Sequence, residues 1–590
     1  MDRDSRIITP REVEGMIADG KTIVILDDLV LRLDSWLQKH PGGRLAILHM
    51  VGRDATDEIK VYHSSATLKT MKAFRIGRKP AGPWVNMTPP IRGGVYTKED
   101  TTSADAAGAA PDADADIVDC PSSDLDGDST DDAVSEASGR SSRTSLTSDC
   151  DSAEEGKVEA KVDTGIRRRL AAHADVAEDD FADGIKLSSR SRAPMTASKF
   201  TDWAIQQGVE KDLEEYPSLD PVVQQDIQDK YRALHDRVRD AGLYDCPYLD
   251  YGKEMARYTT LFVSFLVALR YEWYMTSACF LGLFWHQIMF TAHDAGHGAI
   301  THNFSFDTLI GLFIADFCCG LSMGWWKSSH NVHHLITNQP EHDPDIQNVP
   351  LFATCPSFFK SLRSSYYDFT FVWDAAADFL VQYQSWTYYP VMGIARFNLY
   401  LLSWLHVLST KSSALGNSKA WWIRPTEIAF MACFWYIFGY RLLLCTLPTW
   451  PIRVAFVLVS HIITMPLHVQ ITLSHWGMST SDLGESESFP QRQLRTTMDV
   501  DCPAWLDFIH GGLQFQAVHH LFPRLPRHNL RKAQVFVREF CRDTGIPYSI
   551  LSFVDGNKKV LGRLDEVSDQ LKIMLNCQKY MAETGESGLH

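Results

Sequence analysis

Several of the 22 histidines in this 590-residue chain stand at spacings that place imidazoles side by side. His293 and His297 lie four apart in "HDAGH". His330, His333 and His334 form "HNVHH", and Gln516, His519 and His520 repeat that register in "QAVHH". Residues three and four apart on a helix share one face, so each cluster aims two or three nitrogen or amide ligands at one point. Imidazole suits iron, and two octahedral ions need many such ligands, with a few positions left for oxygen. One pair alone reads as an ordinary polar site, but three clusters flanking long apolar stretches read as a metal centre. A separate pair sits near the N-terminus, His40 in "HPGG" and His63 in "YHSSA". The Pro-Gly-Gly after His40 forces a turn that can present its ring to a crevice.

The elements that must position these groups fall into five stretches. Residues 1–80 read as a small α+β domain, with a strand at 24–26 and a helix begun by "DSWLQKH" with Asp34 as its N-cap. Residues 81–195 form a linker rich in Ser and Asp. Between positions 99 and 155 it carries 17 acidic residues against two arginines, and no Phe, Tyr or Trp. It cannot bury enough apolar surface to offset its ordering entropy and is expected to be a disordered tether. The formal net charge of −16 is therefore local, and nucleic acid is not an expected partner. Residues 196–250 read as charged amphipathic helices forming a cytosolic cap. Residues 251–545 carry the apolar runs: 258–292, long enough for two spans turned by "YEWY", then 426–446 and 451–474 joined by "LPTWP". The run 304–322 contains Asp307 and Asp316, and is expected to be an interfacial or buried helix. Four spans in two hairpins put every cluster on one face. Residues 546–590 remain as a cytosolic tail. The 12 cysteines include no CxxC pair, which fits reduced thiols, and the polar N-terminus gives no sign of a cleaved signal peptide.

The stretch "DSWLQKHPGGRLAILHMVGRDATDEIKVYHSSATLKTMKAFRIG" resembles the cytochrome b5 haem-binding domain over nearly its whole length. The resemblance implies one b-type haem with His40 and His63 as axial ligands. Two imidazoles leave no axial position for oxygen, so such a haem moves single electrons. His49 matches no ligand position and is expected to be structural. Asp57 and Glu58 either dock a basic reductase or form a solvated face.

The three histidine clusters resemble those of membrane fatty-acyl and sphingolipid desaturases, and Gln516 with a fused haem domain resembles the front-end branch. That family implies a non-haem di-iron centre ligated by His293, His297, His330, His333, His334, His519 and His520, with dioxygen as co-substrate. It further implies a histidine at the end of the fourth span; His475 in "TLSHW" fits, and His468, on the same face, stays open. Gln516 is a weak ligand or an outer amide. Asp294 and "EHDPD" (His342, Asp343, Asp345) either orient ligand imidazoles or cap helices. Many front-end members have Glu where this chain has Val518, a departure that touches substrate preference more than metal binding. "LFPRLPRHNLR" is similar to the third-cluster surroundings of fungal and plant sphingolipid Δ8 desaturases, and "NVHHLITNQPEHDPDIQNVP" resembles the fungal branch. The resemblance therefore implies an oxidoreductase of the endoplasmic reticulum membrane, with haem domain and clusters cytosolic. It would take electrons from NADH-cytochrome b5 reductase and desaturate C8 of the long-chain base of a ceramide. Arg524, Arg527 and His528 are placed either to grip the lipid's polar end or to face anionic headgroups. An acyl-lipid Δ5 or Δ6 desaturase, a lipid hydroxylase and a membrane haem or zinc-holding receptor stay open.

Overall fold

The computed structural model describes residues 5–96, 196–409 and 420–585. Most of the acidic linker, residues 97–195, lies outside the described residues. In the N-terminal domain, Thr9 and Glu12 form a reciprocal capping box that starts the helix Pro10–Ala18. A three-stranded antiparallel sheet follows, from Ile23–Leu26, Leu29–Arg32 and Arg75–Arg78. All four residues of "IVIL" are buried because the strand feeds two cores. Val24 and Leu26 face one cluster with Leu31 and Ala46, while Ile23 and Ile25 face another with Val13 and Ile17. Asp34 does not cap a helix. It accepts the Thr22 backbone N–H at 2.7 Å, and only a 3-10 turn, Leu37–Lys39, forms before Pro41. The proline disfavours helical geometry in the residue before it, so the expected helix cannot extend.

Residues 81–96, grouped with the linker by composition, are held in place. Trp84 Nε1 donates to Gly52 O at 2.9 Å, and Arg92 pairs with Asp482 at 2.7 Å and Glu485 at 3.2 Å.

The two amphipathic helices are Ala197–Glu215 and Pro221–Asp240. Asp220 caps the second, with Pro221 in its first turn. Its buried stripe, Ile227, Tyr231, Leu234 and Val238, packs with Leu530, Val537 and Phe540 of the helix Arg527–Thr544. The first apolar run forms a helical hairpin, Tyr248–Arg270 and Tyr274–Gly296, turning at "YEWY". Among the described residues, three helical stretches are long and apolar enough to cross a membrane: Ala375–Leu408, Ile423–Thr446 and Trp450–Leu473. The first of these had no counterpart in the sequence reading. The pair Phe304–Cys318 and Met323–Leu335, bent by 117°, counts as a fourth if it is one broken span.

The chain after residue 545 adds a strand, Ile550–Ser552, parallel to Asp499–Asp501, and then the helix Phe553–Thr584. Val560, Leu564, Val567, Leu571 and Met574 form one stripe that packs into a core shared with Phe352, Tyr388 and Trp476.

The N-terminal domain and the helical domain pack as one unit. Leu335 and Ile336 join the N-terminal core directly. Asp57 pairs with Arg232 at 2.8 Å, Glu58 with Arg492 at 3.5 Å, and Arg53 with Glu485. Asp57 and Glu58 are thus buried in this contact rather than displayed to a reductase. Burial pushes the Asp57 carboxyl up to about 7, against the opposing pull of Arg232.

Candidate metal centres

Histidines from four separate elements meet at the end of the helical domain. His293 and His297 close the helix Tyr274–Gly296; His330, His333 and His334 lie on Met323–Leu335; His519 and His520 lie on the short helix Gln516–Leu521. His475 follows the helix Met465–Leu473. Two groups result. In the first, ligand atoms of His293, His297, His330 and His519 lie within 4.8 Å of one another; in the second, those of His333, His475 and His520 do. His334 stands between them. Its ring centroid is 4.8 Å from those of His297 and His519 and 4.0 Å from that of His520. Gln516 is buried one turn ahead of His519 and His520. His468 sits instead by Thr464 Oγ1, at 3.4 Å, outside both groups.

Two of these rings are tied down through their outward nitrogens. His333 Nδ1 contacts Asp343 Oδ2 at 2.9 Å, and His520 Nδ1 contacts Gln493 Oε1 at 2.9 Å. The inward nitrogens are not. His293 Nε2, His297 Nε2, His334 Nδ1, His519 Nε2 and His520 Nε2 are buried without a hydrogen-bond partner among the described residues. Buried polar atoms left in this state cost free energy unless something binds them. The donor set, imidazole lone pairs with outer partners fixing the tautomer, fits metal ions. Asp343 therefore orients a ring, as one reading of "EHDPD" expected. Asp345 lies 3.7 Å from the same nitrogen, while His342 Nδ1 contacts Ser365 Oγ at 2.9 Å.

Supports invisible to motif spacing hold the clusters in register. Glu427 Oε1 accepts from Gly324 N and Ser322 Oγ, both at 2.7 Å, and Asp316 Oδ2 accepts from Met323 N at 3.2 Å. Two carboxyl groups thus accept from the N-terminal N–H groups of the helix carrying "HNVHH". Asp499 accepts from Ala517 N at 2.8 Å, and Tyr231 donates to Leu521 O at 2.7 Å, pinning both ends of the third cluster. Arg527 is buried between Glu254 and Asp294 and donates to Phe290 O at 3.1 Å. His528 Nε2 contacts Glu254 at 3.1 Å. Neither residue is available to grip a lipid at the membrane surface. They tie the third cluster to the first hairpin, and Arg524 lines an internal cavity. Asp294 serves the same ion-pair lock; His293 Nδ1 lies 3.6 Å from it.

That cavity, of about 440 Å³, contains His40 and His63, with ring centroids 5.9 Å apart. His40 Nδ1 donates to Gly43 O and His63 Nδ1 to Ile59 O, each at 2.9 Å, which leaves both Nε2 atoms as lone-pair donors. Burial lowers both imidazoles, His63 to about 4, which favours the neutral rings that carry a free lone pair. Gly42 permits the turn, since a Cβ there would lie 2.8 Å from His40 Cε1. These features fit a haem held by two axial imidazoles. The two sites adjoin. Tyr62, beside His63 in the chain, meets His334 edge-on at 6.3 Å, and Asn331 lies 3.5 Å from Gly42 O. His49 is fully buried next to His342, at 5.1 Å, away from the axial pair.

A cytochrome b5-like haem/steroid binding domain model matches residues 9–79, and a fatty acid desaturase model matches residues 272–552. A Delta 8-(E)-sphingolipid desaturase of Emericella nidulans is 48% identical over 99% of this chain and 98% of its own length. The chain belongs to the fatty acid desaturase family. Two further Delta 8-(E)-sphingolipid desaturases match this desaturase at similar level and extent. That of Kluyveromyces lactis is 45% identical over 98% of this chain and 95% of its own, and that of Candida albicans 44% over 98% of each. The desaturase is an oxidoreductase of the membrane, with a haem-binding electron-donor domain and iron-type histidine clusters.

Proposed function

We propose that this desaturase introduces an (E) double bond between C8 and C9 of the long-chain base of a ceramide. One observation carries the reading. The similarity to Delta 8-(E)-sphingolipid desaturases runs through the whole chain rather than through the catalytic domain alone. His293, His297, His330, His333, His334, His475, His519 and His520 hold a non-haem iron pair, with Gln516 beside them as a weak ligand or outer amide. Bound there, the metal pair supplies the dioxygen-derived oxidant needed to remove hydrogens from two adjacent methylenes, which amino-acid side chains alone cannot do. Per double bond the balance is one dioxygen, two electrons, two protons and two substrate hydrogens, yielding two waters. Asp343 and Gln493 fix the tautomers of His333 and His520, so each ring presents a lone pair to the site.

His40 and His63 hold the haem that passes electrons singly, and NADH-cytochrome b5 reductase is its donor. The protein resides in the endoplasmic reticulum membrane, with haem domain and histidine clusters on the cytosolic side where that reductase works. The packing of the haem domain directly against the second cluster supports a shared side. Residues 1–80 form the haem domain, 81–195 the linker with its first residues, 81–96, packed in place, 196–250 the cap, 251–545 the catalytic domain and 546–590 the C-terminal segment.

The deciding experiment is expression in a yeast that makes ceramides without the Δ8 bond, with long-chain bases and acyl chains analysed separately. A new (E) bond at C8 of the base is the expected product. Unsaturation confined to acyl chains would reassign the substrate.

A further inference from the structure

The cavity between His40 and His63 is a composite of both domains. Its N-terminal walls are built from Val24, Trp36, Ile47, Met71, Phe74 and similar residues, and the domain contributes no lysine or arginine to the lining. Its one ionisable acid there, Glu58, already faces Arg492. The helical domain contributes two cations, Lys327 and Arg524. They come from different elements. Lys327 lies on the helix Met323–Leu335, one turn before His330, and Arg524 follows the third histidine cluster.

Neither cation makes an ion pair within 4 Å among the described residues, although one buried carboxylate of the lining, Asp307, acts on both. Lys327 Nζ stands 5.5 Å from the centre of the Phe304 ring, and Asp307, the acid nearest it in the lining, keeps Oδ2 unpaired. Arg524 Nη2 lies 3.3 Å from His302 Nδ1, whose ring is engaged by the carbonyls of Gly298 and Tyr244. Two half-buried cations sharing one carboxylate leave the lining with excess positive charge, and a cation facing a further carboxylate makes a short, charge-assisted hydrogen bond. A b-type haem brings two carboxylates.

We propose that Lys327 and Arg524 bind the two carboxylates of the haem, so that the membrane domain completes the haem site and the haem helps fasten the two domains together. The proposal rests on the reading of this cavity as a haem site. Both residues are positioning residues, distinct from the axial ligands and from the histidine clusters. The haem's apolar body and axial bonds belong to the N-terminal domain, and its charged edge belongs to the membrane domain.

The test uses the full-length protein in lipid nanodiscs, loaded with haem b or with its dimethyl ester, which lacks the two charges. The readout is the rate at which the Soret band moves to an excess of a haem-scavenging acceptor protein. Lys327→Met and Arg524→Met should each release haem b roughly ten- to a hundredfold faster, the size expected for a hydrogen bond between charged partners. Lys327→Arg and Arg524→Lys should stay near the wild-type rate. The ester should leave all variants equally fast. Wild-type release rates in the two Met variants, or equal acceleration of haem b and ester, would overturn the pairing. Should the Met variants fail to fold, the wild type alone decides, because haem b and ester leaving at the same rate has the same consequence. A wild-type protein that binds no low-spin haem at all would overturn the haem assignment itself, and is recognised before any variant is made.

Discussion

The haem cavity and the histidine-cluster site solve the same problem, presenting imidazole lone pairs to a metal, with opposite means. In the cavity, both axial rings come from one short domain, and their outward nitrogens are held by backbone carbonyls a few residues away, Gly43 and Ile59. In the cluster site, eight rings arrive from four elements between His293 and His520, and rings such as His333 and His520 are held by side chains of other segments, Asp343 and Gln493. Backbone support comes with the local fold and is hard to mutate away. Side-chain support can be adjusted residue by residue, which suits a site whose metals must react rather than only change oxidation state.

The sharpest way to break this comparison is to empty one site at a time. His63→Ala and His519→Ala should each lower desaturation by at least about a hundredfold. The first should lose the low-spin haem spectrum while keeping non-haem iron, and the second the reverse, read by absorption and metal analysis. A single substitution that empties both sites would show that they do not load independently.

Next in size are the supports. Asp343→Asn and Gln493→Leu should weaken iron binding about 10- to 100-fold with the haem spectrum unchanged, as measured by iron retention against a chelator. Glu427→Ala leaves Ser322 and the Gly324 N–H without their acceptor and should cost about 1–3 kcal/mol, seen as a lower thermal midpoint. Arg232→Ala strands the buried Asp57 carboxyl. Because Arg232 is one-third exposed, the expected loss is only about 1–2 kcal/mol, read as faster amide exchange at the domain contact. At the small end, His468→Ala should leave iron content at the wild-type value, since that ring lies by Thr464 and outside both groups. A lost iron would return His468 to the ligand set.

What could be read in advance follows the same contrast. "HPGG", "YHSSA" and the three clusters are legible because their chemistry lies in contiguous residue types at helical or turn spacing. The small sheet, the two amphipathic helices and the hairpin at "YEWY" follow from periodicity and turn residues. The helix Gln384–Leu408 escaped because Pro390, Arg396 and Asn398 interrupt its apolar run, although Arg396 is buried, with its guanidinium over Trp285. Glu427, Gln493 and Asp499 escaped for another reason. Each acts on a residue far away in the chain, and no local pattern marks such a partner. Arg527 was misread outright. Its neighbours "PRLPRHNLR" look like a basic surface, and only the fold brings Glu254 and Asp294 to it.

The buried, partnerless imidazole nitrogens also have a consequence for how the protein is made and kept. Their elements are held together by contacts from residues as late as Tyr548, which reaches Asp499. On the proposed assignment, iron bound there satisfies these atoms, and its binding energy is folding energy. A chain that finishes synthesis without iron carries several unsatisfied polar atoms in its interior and opens more often to proteolysis. On that assignment, iron supply is expected to govern how much of this protein persists as well as how fast each molecule turns over.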